Sequence, residues 1–217
     1  RLFLSIDRRL WEQTKHNPIA FLHQVENEKL EHAAADTYYL EEYDSVMADF
    51  DRYMNDKDTW FNREYPHLKE KQMAYFSFEF ALHESIPFYA GGLGVLSGDH
   101  LKEASDIGLP LMGMGFIYKQ GYFVQKITED GWQETSHYHF DFTEMPIISI
   151  VDQQGDPITV SVELPGRSVN ARVWMLQVGR VPLFLLDTSN NGNDKNDRAL
   201  TSRLYSSDPE IRISQEM

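Results

Sequence analysis

The chain has no cysteine in its 217 residues, which excludes a disulfide framework and any thiolate metal site. No apolar run reaches the roughly 20 residues of a membrane-spanning helix. No Asn-x-Ser/Thr acceptor occurs. Basic residues are scarce: 20 Lys and Arg against 34 Asp and Glu give a formal charge of −14. That balance repels a nucleic-acid backbone, and no compact basic patch offsets it. An uncharged polymer meets no such penalty. Both common phosphate loops are missing as well. Walker A requires a Lys-Ser/Thr pair, and none follows Gly98; Gly92, Gly94 and Gly98 are spaced one residue too widely for the dinucleotide fingerprint. A calcium loop over residues 187–198 fails because Arg198 stands where a bidentate Glu is needed. The expectation is a soluble cytoplasmic protein with no nucleic-acid or membrane partner and no bound metal.

What is present divides near residue 70. Residues 1–70 read as a helical extension. Asn17-Pro18 forms a cap and first-turn pair, and Asp36 caps a second helix. In that helix Leu40, Tyr43, Met47, Phe50 and Met54 recur every three or four residues, which predicts a buried stripe. From Met73 onward, strands and a helix alternate in a βαβ pattern. Residues 73–80 read as a buried strand, a helix follows over about 95–107, and a strand spans 109–118. Gly108 and Pro110 supply the helix stop. Further strands are predicted over 147–151, 158–162, 169–175 and 181–186, with turns at 154–157 and at Pro165-Gly166. Residues 189–197 read as a polar solvent loop. The fold class is α/β.

The stretch that points to chemistry is Tyr89-Ala90-Gly91-Gly92-Leu93-Gly94-Val95-Leu96-Ser97-Gly98-Asp99-His100. It lies between a strand and a helix N-terminus. Glycines remove the Cβ atoms that keep a ligand off the backbone, and the first helical N–H groups have no internal partner. Such a turn can hold an anion or a sugar oxygen. His83-Glu84 precedes it closely. His137 and His139, two apart, lack a third ligand and read as ordinary surface residues. The aromatic faces of Trp132, Tyr122, Phe123 and Tyr138 could stack on sugar rings, although most such residues are expected in the core.

Several segments resemble the α-glucan (glycogen, starch, maltodextrin) phosphorylases: Ala74-Tyr75-Phe76-Ser77-Phe78-Glu79-Phe80, Gly91-Gly92-Leu93-Gly94 and Gly98-Asp99-His100-Leu101-Lys102. Tyr118-Lys119-Gln120-Gly121-Tyr122-Phe123, Gly131-Trp132-Gln133, Leu164-Pro165-Gly166-Arg167, Val178-Gly179-Arg180-Val181-Pro182-Leu183 and Arg203-Leu204-Tyr205 extend the likeness. Only ten residues separate Phe80 from Gly91, as in the short bacterial form.

The resemblance implies a GT-B architecture, with residues 71–217 forming an incomplete N-terminal Rossmann-like domain behind the helical extension. It implies inorganic phosphate and α-1,4-glucan as partners, glucose 1-phosphate as product, and often a homodimer. Pyridoxal phosphate is the implied cofactor, attached to a lysine outside this chain. The family's loop maps onto Gly91 and Gly92, whose N–H groups would face phosphate, and Leu93, whose N–H would face a glucose hydroxyl. Glu79, His83 and Asp208 fall where residues line the cleft, with Asp208 in a gating loop. Ala81 departs from the tyrosine of animal members, so cofactor packing is expected to differ there. The chain is expected to be the N-terminal fragment of a polypeptide several times longer, inactive alone. Two alternatives stay open. One is a glucan synthase using a nucleotide sugar, although Tyr89-Ala90 replaces the Lys-Thr/Ser pair such enzymes place before the loop. The other is a non-catalytic glucan-binding scaffold.

Overall fold

The computed structural model describes residues 1–121, 124–136, 139–206 and 208–217; the side chains of Pro87 and Val124 also lie outside that description. Helices fill the first part: α1 (Leu2–Ile6), α2 (Arg8–Gln13), α3 (Pro18–Gln24), α4 (Asn27–Ala35), α5 (Thr37–Asn55) and α6 (Trp60–Glu64), then a 3-10 turn at Pro66–Leu68. The Asn17 side chain accepts from the N–H groups of Ile19 and Ala20 with Pro18 in the first turn, and Asp36 caps α5 through Tyr38 and Tyr39. Both caps follow the sequence reading. A small aromatic cluster anchors this part: Phe3 stacks on Trp11 at 4.8 Å, and both rings meet the fully buried Phe21.

The strands are β1 (Met73–Phe76), β2 (Phe80–Ala81) and β3 (Pro87–Phe88), followed by helix α7 (Gly92–Ile107). Next come β4 (Leu111–Phe116), β5 (Val124–Ile127), β6 (Gln133–Ser136), β7 (Ile148–Ser149), β8 (Thr159–Leu164), β9 (Arg167–Val178) and β10 (Val181–Asp187). Two short helices close the chain, α8 (Lys195–Arg198) and α9 (Pro209–Glu216). The main sheet is mixed. Its order is β1-β4-β10-β9-β7, with β8 also paired to β9. β1, β4 and β10 are parallel, and the connection from β1 to β4 carries α7, so the βαβ unit expected from the pattern is present. The remaining pairings are antiparallel, turned by Gly166 (φ 78°) between β8 and β9 and by Gly179 (φ 55°) between β9 and β10. Leu101 and Ala104 of α7 pack with Val181, Leu183 and Leu185 of β10 and with Phe80, Phe88 and Ile117 to form the core.

Four sequence expectations change. Residues 73–80 are not one buried strand: β1 stops at Phe76, lies at the edge of the sheet, and leaves Phe76 72% exposed. The chain bends at Ser77, whose hydroxyl accepts from Glu79 N at 3.3 Å and donates to Glu79 O at 3.0 Å. The helix starts at Gly92, three residues before the expected Val95, because Gly91 takes the cap position. The α5 stripe is exposed rather than buried, with Phe50 53% accessible. Periodicity reports amphipathicity and does not guarantee a partner. α5 is held at its C-terminal end, where Arg180 stacks 4.0 Å from the Tyr53 ring and Tyr53 Oη bonds Asp106 at 2.6 Å. Finally, residues 189–197 are not a solvent loop throughout. The buried Asn193 donates to Thr188 O and Asn170 O at 2.7 and 2.6 Å, and the buried Asp197 accepts from Arg167 Nε at 2.8 Å.

Gly108 ends α7 in the left-handed region at φ 76°, and a Cβ there would stand 2.1 Å from Thr59 Oγ1. Gly108→Ala is therefore expected to lower stability by about 1–3 kcal/mol. Calorimetric unfolding of the full-length protein checks it; an unchanged melting temperature would contradict the close packing of α7 against Thr59.

Candidate active site

The N-terminus of α7 gathers most of the residues singled out from the sequence. Gly91 is its cap, with an extended backbone, and no side chain caps the helix. The first-turn N–H groups of Gly92 and Leu93 therefore lack both an intrahelical and a capping partner. No acidic residue occupies the first turn itself; the acid at this helix end is Glu79, which lies behind the cap residue.

The glycines divide into two kinds. A Cβ added at Gly94 would lie 2.5 Å from Tyr89 Cβ, and one at Gly98 would lie 2.0 Å from Ala81 O. Those two positions let α7 press against β2 and the segment before the helix. At Gly91 and Gly92, a Cβ would meet nothing within 4 Å. Packing gives no reason for glycine there. Bare backbone facing open space is what remains, and it suits a ligand that must approach the peptide closely.

Behind the loop sits Glu79. It is only 2% exposed, and its Oε2 accepts from Ala90 N at 2.8 Å and from Gly91 N at 3.2 Å. Its Oε1 accepts from Tyr205 Oη. Glu79 thus supports the loop from the interior. The N–H of Gly91, expected to face phosphate, is already engaged, which leaves Gly92 and Leu93 as the free donors. Ser97 of α7 donates to Ser77 Oγ at 2.8 Å, tying the helix to the bend that positions Glu79. Nearby, Tyr118 donates to Phe78 O at 3.0 Å. Burial, reinforced by Tyr205 and Glu79, pushes its phenol well above the usual range, so it stays protonated.

Other candidates are placed as follows. His83 is exposed on the β2–β3 turn, and its Nδ1 bonds Ser85 Oγ at 2.8 Å, within its own turn. Asp208 is exposed and caps α9, accepting from Glu210 N at 2.9 Å. Trp132 is exposed on the β5–β6 hairpin. His137, Tyr122, Phe123 and Tyr138 lie outside the described residues. Among the described residues no three His, Asp or Glu side chains stand together as a metal-binding set.

Sequence reasoning missed how the extension meets this region. A cavity of about 520 Å³ lies beside Ala90, walled by Lys15 and Asn17 on one side and by Glu84, Tyr89 and Glu144 on the other. Asn17 Nδ2 donates to Glu144 O at 2.7 Å, and His16 Nδ1 bonds the Glu84 carboxylate. Lys15 and His16 take left-handed backbone angles (φ 51° and 57°) at this junction. No sequence signal marks such contacts, because the partners are separated by 68 and 127 residues.

Comparison with known proteins bears on the chain as a whole. Residues 1–86 match a family model described as a protein of unknown function, DUF3417. Over its whole length the chain is 42% identical to a glycogen phosphorylase of Mycobacterium tuberculosis (strain H37Rv), covering 26% of that protein. It is 38% identical to a maltodextrin phosphorylase of Thermococcus litoralis and 38% identical to a glycogen phosphorylase of Aquifex aeolicus, again over its whole length, covering 26% and 30% of them. Over its whole length the chain is similar to these α-glucan phosphorylases. It spans about a quarter of the length of these phosphorylases. The phosphorylase match runs through both the helical extension and the sheet, so the DUF3417 region is part of the phosphorylase sequence rather than a separate attachment.

The two kinds of glycine predict different outcomes. Gly98→Ala should cost about 1–3 kcal/mol through its clash with Ala81 O. Gly91→Ala and Gly92→Ala should leave the melting temperature nearly unchanged. Thermal unfolding of the three variants in the full-length protein checks this; equal destabilisation at all three positions would contradict the distinction.

Proposed function

We propose that the protein carrying this chain is an α-glucan phosphorylase, in which inorganic phosphate cleaves a terminal α-1,4-glucosyl unit to give glucose 1-phosphate. The observation that carries the reading is the Cβ-free backbone at Gly91 and Gly92, open to space at the start of α7. Supporting it is whole-length similarity to proteins named glycogen and maltodextrin phosphorylase. In this reading the first part of a GT-B domain is built on the β1–α7–β4 crossover, with the loop at the mouth of the cleft between two such domains.

The loop's part in the reaction follows from its geometry. Phosphate and the developing oxocarbenium–phosphate ion pair both gain from donors already fixed in place. In this reading Gly92 N–H faces the phosphate and Leu93 N–H a glucose hydroxyl. Because Glu79 fixes the preceding two peptides, these donors need little reorganisation as charge develops. His83 and Asp208 line the cleft, with Asp208 on the segment that admits glucan.

The bare backbone at Gly91 and Gly92 supports pyridoxal phosphate beside this loop, because a Cβ there would fill the space that a phosphate group needs, and no described residue occupies it. When bound, the cofactor supplies its 5′-phosphate as a proton partner for substrate phosphate. This chain's contribution is the cradle; the lysine that anchors the cofactor belongs to the rest of the protein. A nucleotide-sugar synthase is less well served, because Tyr89-Ala90 offers no lysine to hold a diphosphate.

Gly92→Val in the full-length enzyme is expected to abolish phosphate-dependent release of glucose 1-phosphate from maltooligosaccharides. The same variant should remain folded, because the added side chain enters open space. Near-normal turnover would refute the loop's role.

A further inference from the structure

We propose that Glu79 is the positioning residue of the phosphate loop, with the Tyr205 hydroxyl holding its carboxylate in place. The inference rests on the phosphorylase reading of the loop and assigns a task to a buried carboxylate that the reaction itself does not use.

A carboxylate shielded from water is costly unless its oxygens are hydrogen-bonded. Glu79 is 2% exposed, and both its oxygens are occupied. Oε2 takes the N–H groups of Ala90 and Gly91, the two peptides before the helix. Oε1 takes the Tyr205 hydroxyl. The backbone of Glu79 is fixed in turn by the Ser77 hydroxyl, which accepts from Ser97 of α7. Three chain segments, around 77–79, 90–91 and 205, therefore meet at one side chain.

Two consequences follow. By holding Ala90 and Gly91, Glu79 fixes the direction in which the next two N–H groups point. The donors offered to a ligand are then Gly92 and Leu93, which share the first turn of a helix anchored from behind. In addition, Tyr205 stands at φ 54°, a backbone conformation that a bulky residue adopts only when its surroundings impose it. It lies three residues before Asp208, the cap of α9, while Gln215 of α9 donates to Arg203 O at 3.2 Å. Withdrawing the Tyr205 hydroxyl would loosen the carboxylate that holds the loop.

The test uses the full-length enzyme and three variants, with inorganic phosphate and a maltooligosaccharide as varied substrates. Glu79→Ala should raise the KM for phosphate by about tenfold or more, because two loop N–H groups lose their acceptor, and should raise the KM for glucan as well, because Leu93 N–H loses its fixed direction. Glu79→Gln keeps one acceptor oxygen for the loop and an amide able to donate to Tyr205 Oη. It should therefore hold the phosphate KM within about threefold of wild type. Tyr205→Phe, a loss of one oxygen that leaves the fold intact, should raise the phosphate KM about threefold in wild type and not further in the Glu79→Ala background. An unchanged phosphate KM in Glu79→Ala with only a lowered melting temperature would reduce Glu79 to a structural residue and overturn the proposal. Additive effects of the Tyr205 and Glu79 changes would overturn the part given to Tyr205. Hydrogen exchange at the amides of residues 90–93 is read on the same proteins and needs no activity. Faster exchange in Glu79→Ala, restored in Glu79→Gln, supports the positioning role, and unchanged exchange contradicts it. Absence of phosphorolysis in the wild-type enzyme would instead strike the phosphorylase reading, so the two failures are separable.

Discussion

One buried carboxylate at the start of a helix sets the geometry on which this structure's function depends. Glu79 accepts from the two peptides that lead into α7, so the helix begins at a fixed point and in a fixed direction. On the other side of the same helix end, no side chain among the described residues caps the helix, and Gly91 and Gly92 carry no Cβ. A helix terminus that is anchored from behind and bare in front is ready for an anion without further rearrangement. The cost is that Gly91 and Gly92 contribute no packing; Gly94 and Gly98, by contrast, allow the close contact that seats α7 on the sheet.

The helical extension is not an independent appendage. Its α2–α3 junction meets the β2–β3 turn and the segment around Glu144, and its α5 terminus is gripped by Arg180 and Tyr53 against α7. The extension therefore braces α7 at its C-terminal end and walls the cavity beside Ala90 at the other. Between those contacts, the apolar face of α5 stays open to solvent. The region matching the DUF3417 model thus contacts the same helix that carries the glycine turn.

Much of this was legible in the residues. The caps at Asn17 and Asp36, the stop at Gly108 and the strands from β7 to β10 follow from local chemistry, which a sequence displays directly. The glycine turn was legible as a strand-to-helix junction, and its use as a ligand site is the reading we propose. The engagement of Gly91 N–H by Glu79 was not legible, since 12 residues and a hairpin separate them. Tyr205 stands in a phosphorylase-like motif, but its bond to Glu79 spans 126 residues and leaves no periodic trace. The misread elements have one cause. Periodicity and apolar runs report which face a segment would bury, whereas the edge position of β1 and the open face of α5 depend on what else is packed there. Asn193 and Asp197 show the converse, with polar residues buried because each finds its hydrogen-bond partners.

The central claim is that the Gly92 and Leu93 N–H groups are the phosphate and glucose donors. The most direct measurement is a crystal structure of the full-length enzyme with inorganic phosphate and a maltooligosaccharide bound. The account predicts a phosphate oxygen within about 3.2 Å of Gly92 N and a glucose hydroxyl within the same distance of Leu93 N, with Glu79 still bonded to Ala90 and Gly91. Phosphate bound elsewhere, with both N–H groups facing water, would contradict it.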